Sequence, residues 1–214
     1  MAYGGLDAYG FHALELLQCM VERRAGGESG VRSVQCLEGD QVWEAAERGQ
    51  WSMELATAAC AAIENKPEGT MREHASIPRL FLMEHNDGFR TAALMLSRYV
   101  TDWAYAARVD GQIEASEFYL QPVGPGANFG YLCRNIERFF QTGVAPYPPE
   151  RTLLATGIID AVMNSRHEDH RLIETPYLDI AYRPDDTEII RPTGTRPRGA
   201  SVDRSAPDQL LAWE

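Results

Sequence analysis

L-F-L-M-E-H-N-D-G-F-R-T-A-A-L-M-L, Leu80 to Leu96, is the stretch whose reading decides the fold. Two apolar runs flank Asn86-Asp87-Gly88. Asp-Gly between strand-like runs signals a hairpin, because both residues accept the positive φ of a primed turn. Trp103 to Leu120, W-A-Y-A-A-R-V-D-G-Q-I-E-A-S-E-F-Y-L, repeats the design around Asp110-Gly111. Two such hairpins in succession predict an antiparallel meander of at least four strands in one sheet.

Upstream, Phe11, Leu14, Leu17 and Val21 recur at helical spacing, predicting a helix over residues 8–24. Arg23 and Arg24 fall in its expected last turn, where cations favour the dipole, and Gly26-Gly27 stop it. Val31 to Leu37 alternates as a strand does. Asp40 and Ser52 are candidate N-caps of two further helices, the second reaching about Ile63. Asn65 to Gly69 and the M-R-E-H-A-S stretch around His74 read as polar loops. Downstream of a Pro/Gly loop at 122–126, Leu132, Ile136, Phe139 and Phe140 mark a helix that Gly143 ends. Pro149 opens another with a stripe of Leu154, Ile158, Ala161 and Val162, and Arg171 to Thr175 follows as a short strand.

This order predicts one α+β domain over residues 1–182: an open, predominantly antiparallel sheet with helices on one face. The other face, with Phe81, Met83, Met95, Trp103 and Tyr105, is expected to stay apolar and to pack sheet on sheet in a homodimer or higher homo-oligomer. Residues 183–214 are rich in Pro, Arg, Asp, Gly, Ser and Thr and read as an extended or partly disordered tail, with Trp213 anchoring its end.

The chain has 214 residues and a net charge of −11, from 31 acidic and 20 basic side chains. A field of that sign repels phosphate backbones and anionic lipid, so neither nucleic acid nor membrane is expected as a partner. Cys19, Cys36, Cys60 and Cys133 are scattered without a C-x-x-C pair, and M-A-Y-G-G lacks the charged and apolar regions of a signal peptide. Reduced thiols in a cytoplasmic protein are the expectation. His167 and His170, in R-H-E-D-H, have metal-like composition but no evident third ligand, so no metal site is expected. No G-x-S-x-G, H-E-x-x-H or P-loop occurs.

One segment carries a resemblance. G-G-L-D-A-Y-G-F-H-A-L-E, Gly4 to Glu15, is similar to the G-G-G-x-x-x-D-x-G-x-H-x-x-D pattern of the Gfo/Idh/MocA oxidoreductases. Gly10 and His12 match its G-x-H, and Glu15 stands where the later acid falls. Ala8 replaces the usual aspartate, with Asp7 adjacent. D-G-F-R-T-A-A-L-M-L, the run Asn135 to Glu150 and the run Thr156 to Arg166 resemble that family's sheet strand and last two helices, in the same order. Together they span roughly residues 3–180 and resemble the family's C-terminal, substrate-binding and oligomerisation domain. The family's Rossmann fingerprint G-x-G-x-x-G and its E-K-P lysine have no counterpart; Lys66-Pro67 follows a helix.

The resemblance implies a substrate half without a cofactor half. NAD(P) is then expected only from a separate Rossmann-domain partner, and no cofactor on this chain alone. It implies His12 as acid/base at a small polar, sugar-like or biosynthetic molecule, a task suited to a side chain that titrates near neutrality. Asp7 is the expected second catalytic group. Tyr9, Glu15, Asp102, Tyr105 and His74 are the expected substrate-binding residues, and Asp7 and Glu15 are placed to orient the imidazole. His85, beside the turn, is expected to be exposed. Two other readings stand beside this one: a cofactor-independent isomerase, lyase or epimerase using His12, and a non-catalytic binding or oligomerisation module.

Overall fold

The computed structural model describes residues 1–118, 127–184 and 189–191. The first helix, α1 (Ala8–Val21), starts at Asp7, whose carboxylate accepts the Ala8 N–H at 2.7 Å. Gly10, Ala13, Leu14, Gln18 and Val21 form its buried stripe. Gly10 sits where a side chain would collide: a Cβ there would lie 3.2 Å from the Phe81 ring and 3.0 Å from Ile159 Cδ1. The helix ends sooner than the apolar spacing predicts. Arg23 and Arg24 fall past its last turn, and Arg24 folds back to the Val21 carbonyl at 3.1 Å.

β1 (Val31–Glu38), β2 (Arg79–His85), β3 (Arg90–Met95) and β6 (Ile173–Glu174) make a four-stranded antiparallel sheet in the order β3-β2-β1-β6. β4 (Trp103–Val109) and β5 (Gln112–Phe118) make a separate two-stranded ribbon. Both hairpins therefore form, with Gly88 at φ +81° and Asp110-Gly111 at +48° and +80°. The single meander does not. No ladder joins β3 to β4, because residues 1–3 lie between them. Ala2 N–H donates to Leu94 O and Leu96 N–H to Ala2 O, at 2.9 and 2.8 Å, while Ala104 N–H donates to Met1 O at 3.1 Å. These residues occupy the free edge of β3, and β4 pairs with them instead.

Helices cover both faces of the four-stranded sheet, not one. Phe81, Met83 and Met95 pack under α1 and α6 (Pro149–His167), with Leu154, Ile158 and Val162. Leu80, Leu94 and Leu96 pack on the other side, under α2 (Asp40–Glu47), α3 (Met53–Ala62) and α4 (Met71–His74), with Trp43, Trp51 and Ile63. The expected apolar face for a sheet-on-sheet dimer is thus already filled. The physical reason is visible in L-F-L-M and A-A-L-M-L: strands apolar at every position, not every second one, are strands buried on both faces.

Local chemistry explains the helix starts. Ser52 accepts the Leu55 N–H at 3.2 Å and caps α3. Asp40 is the first residue of α2 and not its cap, a place taken by Gly39 at φ +61°. The expected loop around His74 holds one helical turn, because Thr70 and Glu73 form a reciprocal capping box. Pro149 opens α6. α5 (Ala127–Thr142) stops at Gly143, φ +71°. The loop at 122–126, Leu120 and the tail with Trp213 lie outside the described residues. No helix among the described residues is long and apolar enough to cross a membrane.

Candidate functional site

His12 is exposed on the outer side of α1, among aromatic rings. Its imidazole meets Trp103 and Tyr9 edge-on, both at 6.2 Å between centroids, and Phe11 at 5.9 Å. Tyr9 and Trp103 lie parallel, 6.0 Å apart and 3° between planes, and Tyr3 tilts against both. Trp103 is buried beneath this cluster, and Tyr9, at 40% exposure, is the aromatic ring it presents beside the imidazole. Gly4, at φ +92°, is the close approach that lets Tyr9 fold over: a Cβ there would sit 2.3 Å from the Tyr9 ring.

The other expected site residues divide. Glu15 lies one helical turn from His12, and their charges interact. Burial raises its carboxyl, with a hydrogen bond from Thr152 and the Arg151 charge opposing only in part, and its Oε1 has no hydrogen-bond partner among the described residues. Asp7 is exposed and serves as the α1 cap. Asp102 is half-buried beside Trp103 and accepts from Thr101 Oγ1 at 3.4 Å. Tyr105 shares the Trp103 side of β4 by strand alternation, and burial raises its phenol. His74 belongs to another neighbourhood: its ring stacks on Tyr99 at 5.6 Å and its Nε2 lies 2.6 Å from Glu68 O. The structure thus groups His12, Tyr9, Glu15 and Trp103, extends toward Tyr105, and leaves His74 apart.

A cavity of about 450 Å³ does not include His12. It opens in the gap between β3 and β4, where Arg90, Thr91, Ala92, Tyr105, Ala106 and Arg108 form its walls. Leu17 and Val21 of α1 close one side and Leu55 and Ala56 of α3 the other. A second cavity of about 20 Å³ lies between α1 and the Trp103–Tyr105 stretch.

Behind the large cavity runs a buried polar network that the sequence reading does not contain. His85 is 1% exposed, a correction to the exposed turn residue expected there. Its Nδ1 is 2.9 Å from Glu28 Oε1 and its Nε2 3.1 Å from the hydroxyl of Thr91, which lines the cavity. Burial alone would raise the Glu28 carboxyl. Hydrogen bonds with His85, Arg24 and Gln18 outweigh it and hold the group down at about 2. Gln18 links onward to Tyr182 (3.0 Å), Tyr182 to Glu22 (2.9 Å), and Glu22 to Arg151, an ion pair buried between α1 and α6. His85 was legible: it follows Phe81 and Met83 at period 2 and so shares their buried face. Glu28, in G-G-E-S-G, carries no such signal.

Among the described residues no three His, Cys, Asp or Glu side chains converge as a metal ion requires. His170 Nδ1 lies 3.0 Å from Cys36 O. The turn before α1 lacks the features of a dinucleotide-binding turn. The glycines before α1 follow no strand, and Asp7 sets a carboxylate where a pyrophosphate would need free N–H groups. Compared with known proteins, the chain matches no family model and no curated protein.

Proposed function

We propose that this chain is the substrate-binding, acid–base half of an oxidoreductase acting on a small polar, sugar-like molecule, with the nicotinamide held by a separate dinucleotide-binding domain. The observation that carries the reading is the exposed His12 imidazole set among Tyr9, Phe11 and Trp103. A hydroxyl-bearing ring lays its C–H face on the exposed Tyr9 ring, which the buried Trp103 backs, and His12 takes or returns one hydroxyl proton at its edge. A site this open to water is half a site, and a second body closing over it supplies the dry surroundings that strengthen such interactions.

The test follows the His12 ring resonances by NMR while myo-inositol or glucose is added. A saturable shift at His12, lost in Tyr9→Ala, is expected. A ring that stays unperturbed at saturating polyol overturns the reading. Turnover of the polyol without any nicotinamide would move the assignment to a cofactor-independent acid–base enzyme.

A second reading has its own observation. Phe129, Leu132, Ile136, Phe139 and Phe140 form one stripe of α5 and are 40–81% exposed. An apolar stripe of this extent marks an interface, and the simplest partner is the same stripe on a second copy. This would make the chain a homo-oligomer through α5 in place of the sheet face. Phe140→Asp is expected to leave the fold intact and lower the mass measured by light scattering. An unchanged mass removes this interface.

A further inference from the structure

α5 meets the rest of the chain along one side and presents another. Tyr131, Asn135 and Arg138 are half-buried, and Asn135 is tied to Ile190, whose N–H donates to Asn135 Oδ1 at 2.9 Å and whose carbonyl accepts from Nδ2 at 2.8 Å. Phe129, Leu132, Ile136, Phe139 and Phe140 lie on the adjoining side, 40–81% exposed. At 16 residues the helix is near the length at which isolated helices are marginal in water, so burying this stripe supports the helix itself. The exposed surface of the five side chains is on the order of 500 Å² on each copy. Two copies together therefore bury about 1,000 Å², enough for a specific contact.

The spacing of the stripe selects its partner and its direction. Phe129, Leu132, Ile136 and Phe139 follow one another at three, four and three positions, the same pattern from either end, with rings outside and aliphatic side chains inside. A two-fold contact requires a patch that fits its own reversed copy, and this patch does. The exposed rim obeys the same reversal. Arg134 and Glu137 lie one turn apart on the solvent side, so turning one helix end for end sets each Arg134 toward the other copy's acid. We propose that α5 pairs with α5 of a second copy, antiparallel about a two-fold axis at Arg134. Phe129 packs between the partner's Phe139 and the partner's Phe140, and Leu132 packs on the partner's Ile136. The proposal rests on the α5 interface put forward above and adds its direction and register. Exposed Cys133, beside the axis, then lies with its Cα about 7 Å from that of the partner's Cys133.

The test treats the full chain with bismaleimidoethane, a short thiol bridge, and maps the bridged peptides by mass spectrometry. A Cys133–Cys133 bridge is expected as the main product. In the variant Cys133→Ser with Phe139→Cys, no bridge at position 139 is expected, because reversal holds those positions about 15 Å apart along the helices. Arg134→Glu and Glu137→Arg are each expected to raise the dimer dissociation constant several-fold in sedimentation equilibrium, and the double exchange to restore it. A dimer that Phe140→Asp dissociates but that bridges at 139 and not at 133, or that the double exchange does not restore, overturns the antiparallel register while leaving the α5 interface standing. A monomeric mass at every concentration overturns both.

Discussion

Arg151 and Glu22 carry the clearest residue-scale consequence. Their side chains are 8% and 0% exposed and joined by two hydrogen bonds, and the Tyr147 ring covers the guanidinium at 4.4 Å. Removing one partner strands a charge. Arg151→Met is expected to cost about 3–5 kcal/mol in urea denaturation, and adding Glu22→Gln is expected to recover much of it. Glu28 sets a pH dependence. Its carboxyl is held at about 2 against an ordinary 4.5, so its contribution is full above the ordinary value and is lost as pH falls toward 2. Thermal melts between pH 5 and pH 2, on the order of that titration range, are expected to show a drop that Glu28→Gln flattens. His85 was readable from the period of β2, yet its partners were not. Glu28 is 57 positions away from it in the chain, and only folding brings the two together.

At the scale of elements, α1 shows how one motif residue serves two ends. Gly10, the glycine of the G-x-H pattern, lets the helix lie on Phe81 and against Ile159. Alanine would improve helix propensity by about 1 kcal/mol, but overpacking against two buried side chains costs about 1–3 kcal/mol. Gly10→Ala is therefore expected to lower stability by about 1 kcal/mol, against the propensity trend, as read from denaturation midpoints. Helix and hairpin positions were legible because caps and turn residues act within four positions: Ser52, Pro149, Gly88 and Gly111 each stand at the boundary they signal. The His74 turn escaped notice since a four-residue helix has no apolar period, and its Thr70–Glu73 box is the cue that was available.

For the whole molecule, residues 1–3 join the four-stranded sheet to the β4–β5 ribbon. Ala2→Pro removes the N–H that bonds Leu94 O. Amide exchange at Leu96 and Ala104 is expected to accelerate while the β1–β2 ladder stays protected; equal acceleration in both would show that the two parts are not separately held. By itself the sequence determined the α+β class, the two hairpins, the Ser52 cap of α3 and the Pro149 start of α6, since each rests on contacts between chain neighbours. Only the tertiary structure decided that the hairpins part, that helices cover both sheet faces, that His85 is buried on Glu28, and that a cavity opens between β3 and β4. Those outcomes depend on which distant segments compete for the same strand edge and the same apolar surface, and Met1 to Tyr3 win the edge of β3 from a ribbon about a hundred residues away along a chain whose closure over such distance costs little more than over a short one.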